Sequence, residues 1–239
     1  DGNRFYGWQK QKKYLTVQGT LEECIKNIVG KDVKLIGCGR TDSKVHAISY
    51  VANFSIDTRL TPEELKNAIN AKVLPYIFVK EVEEITPSFH SRYSILKKVY
   101  MYLLTDTKSP FLRDYAVYIR PAVDIKKMEE AACLFCGEHD LKAFAASGSC
   151  VKNTVRKIYK IKIKKERFLL DSDVQLTSIE IEANGFLYKM ARNIVGTLIY
   201  AGQGKISPTD VHLLITSKNR KLVPPTAQPE GLYLKKVYY

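Results

Sequence analysis

The sequence predicts an α+β protein with two halves of related layout. Three observations predict it. Apolar residues alternate with period two in several short runs, which marks strands. Capping signatures lead into apolar stripes of helical period, which marks helices. The two kinds of element alternate along the chain, with no low-complexity linker between them. At 239 residues, 45% hydrophobic and 26% charged, the chain is long enough to bury a substantial core, as one large domain or two smaller ones.

Taken in order, Thr20-Leu21-Glu22-Glu23 has the form of a capping box. The Thr20 hydroxyl and the Glu23 carboxylate would satisfy each other's free backbone donors, and the helix would run to about Gly30, a suitable C-terminal stop. Val33–Cys38 and Ala47–Ile56 read as apolar strands, so Gly39–His46 is the connection between them. Thr61-Pro62-Glu63-Glu64 repeats the helix-start signature, with Pro at the first helical position. Ile77–Ile85 returns as a strand. A boundary is expected near Pro87–Arg92, dividing a half of residues 1–90 from one of 91–239.

In the second half, Lys98–Leu104 is strand-like and Asp124–Cys136 is an amphipathic helix. Tyr159, Ile161 and Ile163 alternate with Lys160, Lys162 and Lys164, which places the lysines together on one face of a sheet, either solvated or basic enough to meet RNA. Ser178–Glu182 alternates likewise. Leu187, Met190, Ala191, Ile194, Val195 and Leu198 recur at helical spacing. Ser207-Pro208-Thr209-Asp210 opens a last helix, and Leu232–Tyr238 closes the chain as a strand.

The balance of 38 Lys+Arg against 25 Asp+Glu gives a net charge of +13. Such an excess favours a polyanionic partner, nucleic acid or an anionic membrane surface, over the plainer reading of a solubilising surface. No apolar run approaches the ~20 residues that a spanning helix needs, and the first residues carry no signal pattern. Five cysteines is an odd count, so a reducing, cytoplasmic setting is expected rather than a complete disulfide framework. Cys133 and Cys136 have metal-like spacing, with His139 and Cys150 nearby, but no second Cys or His pair at zinc spacing follows. They read as buried thiols in a helix, and no metal is expected.

Gly37-Cys38-Gly39-Arg40-Thr41-Asp42-Ser43-Lys44-Val45-His46 is the stretch that carries chemistry. It joins two strands at a sheet end, where functional loops concentrate, and its Gly-x-Gly allows a tight turn or a close approach. A guanidinium, a hydroxyl, a carboxylate, an ammonium and an imidazole follow within seven residues. From these residues alone, Asp42 reads as a turn aspartate that caps backbone donors, with Arg40 as its neutralising partner.

The stretch resembles the signature Gly-Arg-Thr-Asp-x-Gly-Val-His-Ala of the tRNA pseudouridine synthase A family. Four further stretches resemble that family in order: Asp1–Gln9, Phe89–Arg92 followed by Tyr100-Met101-Tyr102, Gly185–Gly196, and Gly231–Leu234. The resemblance implies a mostly antiparallel sheet shared by two α/β subdomains, with helices on one side and a central basic cleft. It implies an isomerase that breaks the glycosidic bond of a uridine in the anticodon stem and loop of tRNA, rotates the base and rejoins it through carbon. No cofactor is implied, because the base is both leaving group and returning nucleophile. A homodimer is implied, one tRNA contacting both subunits.

By the same resemblance Asp42 is the catalytic carboxylate, ionised either to attack the ribose or to remove a ribose proton. Arg192 pairs with it, on a helix face shared with Tyr188 and Gly196; Tyr100 stacks on the target base; Arg40 fills the space of the extruded base or holds a phosphate. Taken alone, Tyr100 reads as a core residue of an alternating strand, Arg192 as an exposed helix arginine, and Tyr102 as core. Weaker RNA contacts are expected from Lys10, Lys12, Lys13, Lys44 and Arg92. His46 reads as structural.

The chain departs from the family pattern in three places. Lys44 stands where the family has Gly; if that Gly takes a positive φ, Lys carries backbone strain, although its cation is also placed for a phosphate. Ser91 replaces Ala, a minor change. A strand that precedes the Asp1 position in the family is not among these residues. Two rival readings remain: a non-catalytic RNA-binding protein on the same scaffold, and a metal-dependent nuclease or hydrolase, which would want clustered carboxylates beside Asp42.

Overall fold

A computed structural model describes residues 1–148 and 151–239. The chain divides into two compact units, Asp1–Ile95 with Tyr239, and Leu96–Tyr238.

In the first unit, α1 (Val17–Val29) and α2 (Pro62–Val73) enclose a core of Trp8, Cys24, Ile25, Val33, Leu35, Leu65, Ile69 and Val73. The start of α1 corrects the expected capping box. Thr16 is the N-cap and accepts from the Gly19 amide at 3.3 Å, so Thr20 lies inside the first turn. The helix begins earlier because Gln18 and Glu22 are drawn inward. Glu22 accepts from the Leu35 amide at 3.1 Å, from Gln18 Nε2 at 3.0 Å and from Lys10 Nζ at 3.0 Å. Burial of these polar groups is affordable only with such partners. Gly30 ends the helix at φ 73°, and Thr61 caps α2 in a full capping box with Glu64, both as expected.

The strands of this unit are shorter than the apolar runs suggest. Only β1 (Ile36–Gly37), β2 (His46–Ala47) and β3 (Ala52–Asn53) are regular, with Ile36 opposite Asn53 and Gly37 opposite Ala52. Ile77–Ile85 forms no ladder. The Asn70 side chain takes the place of a neighbouring strand, donating to Val79 O and accepting from Val79 N, each at 2.8 Å.

The second unit is built on an antiparallel sheet in the order β9 (Leu232–Tyr238), β4 (Lys97–Thr105), β8 (Asp171–Ala183), β7 (Val155–Phe168) and β6 (Gly137–Asp140). The short β5 (Val117–Tyr118) runs parallel to the end of β4. One face buries Tyr102, Leu104, Ile158, Ile163, Ile179, Ile181 and Leu234. Helix α3 (Ile125–Phe135) packs on β7, on α4 (Met190–Gly202) and on α5 (Pro208–Ser217). Leu103, on the other face, packs with Leu112, Ala116 and Val174. The α+β class and the mostly antiparallel sheet are as expected.

Two details differ. A register shift between Ile158 and Lys160 turns Tyr159 out to solvent and puts Ile158 in the apolar row. The lysine face is partly neutralised across the sheet: Lys160 lies opposite Glu182 and Lys162 opposite Glu180, while Lys97 and Lys235 bond the same two glutamates at 2.8 and 2.6 Å. Cys133 and Cys136 are exposed, not buried, because Met128, Ala131, Ala132 and Phe135 form the inward stripe of α3. Cys150 lies outside the described residues.

Candidate active site

Asp42 stands in the Gly39–His46 connection, half-buried, where the chain has almost no regular structure of its own. Its fixity comes from the N-terminal segment lying alongside. The Trp8 amide donates to Thr41 O at 3.2 Å, the Lys44 amide to Phe5 O at 3.2 Å and Ser43 Oγ to Phe5 O at 3.3 Å. Such contact between two backbones needs glycine. A Cβ on Gly7, at φ 85°, would stand 2.4 Å from Thr41 O, and one on Gly2 would stand 2.2 Å from Val45 O. At the loop's entrance Tyr50 stacks on the buried Trp8, centroids 4.1 Å apart, and its hydroxyl donates to Gly39 O. At its exit the buried His46 accepts the Gly2 amide on Nδ1 at 3.1 Å, a bond that ties the loop to the chain start.

Lys44 has φ 65°, so the lysine itself takes a left-handed conformation that favours glycine, and its side chain is exposed. Arg40 is exposed and donates from Nε to Gln9 Oε1 at 3.2 Å. Gln9 in turn donates to Gln18 Oε1 at 2.7 Å, so Arg40 is joined to α1 through two amides. Lys10 is exposed but engaged with Glu22, whereas Lys12 and Lys13 extend the same exposed loop. Arg92 is exposed, its guanidinium 5.6 Å from the Tyr93 ring centre. Beside it Ser91 is more than a minor change. Its buried hydroxyl donates to Ile36 O at 2.5 Å, and its amide donates to Asn53 Oδ1 at 2.9 Å, bracing the paired strands β1 and β3 on either side of the Asp42 loop in sequence.

The second unit carries Tyr100 and Arg192. Tyr100 is half-buried in β4 on the same face as Tyr102, edge-on to Phe186 at 4.7 Å. Tyr102 is fully buried, as expected of a core residue; its hydroxyl donates to Gln228 O at 2.7 Å, and burial pushes the phenol far above its ordinary pKa. Arg192 is half-buried on α4 and donates from Nε to Ala227 O at 2.7 Å, while its own carbonyl accepts the Ala227 amide at 3.2 Å. The small residue one turn on, Gly196, does permit a close approach: a Cβ there would stand 2.2 Å from Pro225 O. What approaches is the chain's own 223–228 segment. The sequence reading missed that segment, along with Trp8 and Tyr50. The Pro224-Pro225 pair is the one local sign that residues 223–228 leave regular structure.

Among the described residues, no three His, Cys, Asp or Glu side chains converge on a metal position, and no helix is long and apolar enough to cross a membrane. An anchored carboxylate flanked in sequence by Arg40 and Lys44 suits an enzyme that works on a polyanion.

A sequence model of the family described as tRNA pseudouridine synthase matches residues 1–94 and 131–239. Tyr100 falls between the two matched stretches; Arg40, Asp42, Lys44, Arg92 and Arg192 fall within them. Curated relatives are similar over the whole chain. tRNA pseudouridine synthase A of Thermoanaerobacter sp. (strain X514) is 42% identical over 241 residues, covering 100% of this chain and 96% of the relative. The protein of that name from Caldicellulosiruptor bescii is 40% identical with the same coverage, and tRNA pseudouridine synthase A 2 of Bacillus cereus is 35% identical over 242 residues, again covering 100% and 96%. The chain belongs to the tRNA pseudouridine synthase family, a family of isomerases acting on tRNA.

Proposed function

We propose that this chain converts uridine to pseudouridine in the anticodon stem and loop of tRNA, with Asp42 as the catalytic carboxylate. The observation that carries this reading is the anchoring of Asp42: a half-buried carboxylate on a loop pinned by the N-terminal segment, in a chain of this family. A carboxylate that must meet one ribose carbon or one ribose proton needs a fixed position.

In the proposed reaction the carbon–nitrogen glycosidic bond breaks, the base turns, and a carbon–carbon bond forms, with no atom gained or lost overall. Asp42 either attacks the ribose or removes a ribose proton. Arg192 pairs with Asp42, and Tyr100 stacks on the base while it turns. Arg40, on its tether to Gln9, fills the place of the extruded base or takes a phosphate. Lys44, Lys12, Lys13 and Arg92 are exposed cations suited to the RNA backbone, and Lys10 joins them if it leaves Glu22. No cofactor takes part. We further propose that the protein works in the cytoplasm as a homodimer, with one tRNA contacting both subunits.

The test is to incubate unmodified tRNA transcripts with the protein and map pseudouridine along them. The isomer is expected in the anticodon stem and loop. Isomer formed only elsewhere would move the target. Tight tRNA binding without any isomer would favour a non-catalytic RNA-binding protein.

A further inference from the structure

A cluster of polar groups lies one residue beyond Arg192, outside the roles given above. Asn193 on α4 is fully buried. A buried primary amide must spend its donors and its acceptor on partners, because each one left unpaired carries its full desolvation penalty. Its Nδ2 donates to Phe144 O at 2.6 Å. Its Oδ1 accepts twice, from Thr226 Oγ1 at 2.7 Å and from Arg220 Nη2 at 3.1 Å. The same Arg220 Nη2 donates to Thr226 Oγ1 at 2.9 Å, and Nη1 donates to Val223 O at 2.8 Å. The polarities agree throughout: Thr226 accepts from the guanidinium and gives its own proton to the amide.

This knot holds the 223–228 segment against α4. One residue after Thr226, Ala227 exchanges two bonds with Arg192, its amide donating to Arg192 O and its carbonyl accepting from Arg192 Nε. One residue before, Pro225 O lies where only a glycine, Gly196, can face it. Beyond Ala227, Gln228 O accepts from Tyr102. A guanidinium is planar, so a bond at Nε to a fixed main-chain carbonyl sets the plane and direction of the two terminal nitrogens. Thr226, one residue before, is the side-chain anchor of that carbonyl on the side facing Asn193.

We infer that Thr226, Asn193 and Arg220 are positioning residues for Arg192: they seat the Ala227 carbonyl that aims its guanidinium, and they do so without touching the RNA. The inference rests on the reading that Arg192 acts in the reaction.

A double-mutant cycle between Thr226→Val and Arg192→Lys tests it, read as the rate of isomer formation at saturating tRNA transcript, the tRNA dissociation constant and the unfolding midpoint. Thr226→Val keeps the shape and removes the hydroxyl. It is expected to slow the reaction about tenfold, the rate equivalent of one lost hydrogen bond, with tRNA affinity changed by less than about twofold. Lysine has no Nε fork to be aimed. In the Arg192→Lys background the Thr226 change should therefore alter the remaining rate by less than about twofold. Multiplying effects would show that the knot acts on the rate by a route other than Arg192, and an unchanged rate in Thr226→Val with a lowered unfolding midpoint would show that it serves stability alone; either would overturn the inference. A wild-type rate in Arg192→Lys by itself would instead overturn the role given to Arg192. Thr226→Ser, which restores the hydroxyl, should restore the rate. If the valine variant does not fold, Arg220→Lys read in the same cycle decides the matter.

Discussion

Asp42 is carried by a loop between ladders of two residues each, whereas Arg192 projects from a helix of 13 residues. The loop gains its fixity from another stretch of backbone pressed against it, a contact that only glycines at Gly2 and Gly7 allow. The helix is rigid already; what it lacks is a direction for one long side chain, and side chains distant in sequence supply that. The two positions should therefore fail differently. Loss of packing room should unfold the first and disarm it together, while the second should lose rate before it loses stability.

Gly7→Ala should have the largest effect. Both the φ of 85° and the 2.4 Å approach to Thr41 O oppose a side chain, so a destabilisation of about 3 kcal/mol is expected by denaturant unfolding, with isomer formation lost in parallel. A change below about 1 kcal/mol would mean that the loop is not anchored there. Gly196→Ala should come next and behave in the opposite way. Pushing Pro225 away costs energy, but alanine favours the helix by about 1 kcal/mol over glycine, so the net loss of stability should be about 1 kcal/mol. The rate should fall by at least about tenfold, because the Ala227 carbonyl moves with its neighbour. Equal losses of rate and stability at both glycines would break the contrast.

Tyr50→Phe is a smaller cut at the Asp42 loop. It keeps the stack on Trp8 and removes the bond to Gly39 O, so about 1 kcal/mol of stability should go, checked by the shift in unfolding midpoint. Lys44→Gly should give the smallest change and the reverse sign. Relief of a left-handed lysine should raise stability by about 0.5 kcal/mol, seen as a higher midpoint in the same measurement.

Elements specified by neighbours in sequence were legible. Thr61-Pro62-Glu63-Glu64 and Ser207-Pro208-Thr209-Asp210 both form the capping boxes that their spacing requires, and β9 spans the predicted Leu232–Tyr238. Elements decided by distant partners were not. Thr20 has a better-looking cap sequence than Thr16, yet the inward pull of Gln18 and Glu22 sets the start of α1. Ile77–Ile85 has the pattern of a strand but no strand beside it, since Asn70 supplies its partner. Tyr159 leaves its row at a bulge that period-two counting cannot register.

The candidate site divides along the same line. The Gly-Arg-Thr-Asp composition of the loop is visible in the sequence, and so is the glycine one turn after Arg192. The lock on Arg192 is not. Its members are separated by 33 residues between Asn193 and Thr226 and by 27 between Asn193 and Arg220, and nothing local announces that they meet.

The central claim is that the Asp42 carboxylate performs the reaction. Asp42→Asn keeps the size of the side chain and removes its charge, and its single-turnover isomer yield on unmodified tRNA, with tRNA binding measured alongside, is the most direct test. Binding is expected within about threefold of wild type, with the rate reduced by at least about 10³-fold. An asparagine variant that folds, binds tRNA and still forms pseudouridine at a rate near that of wild type would contradict it.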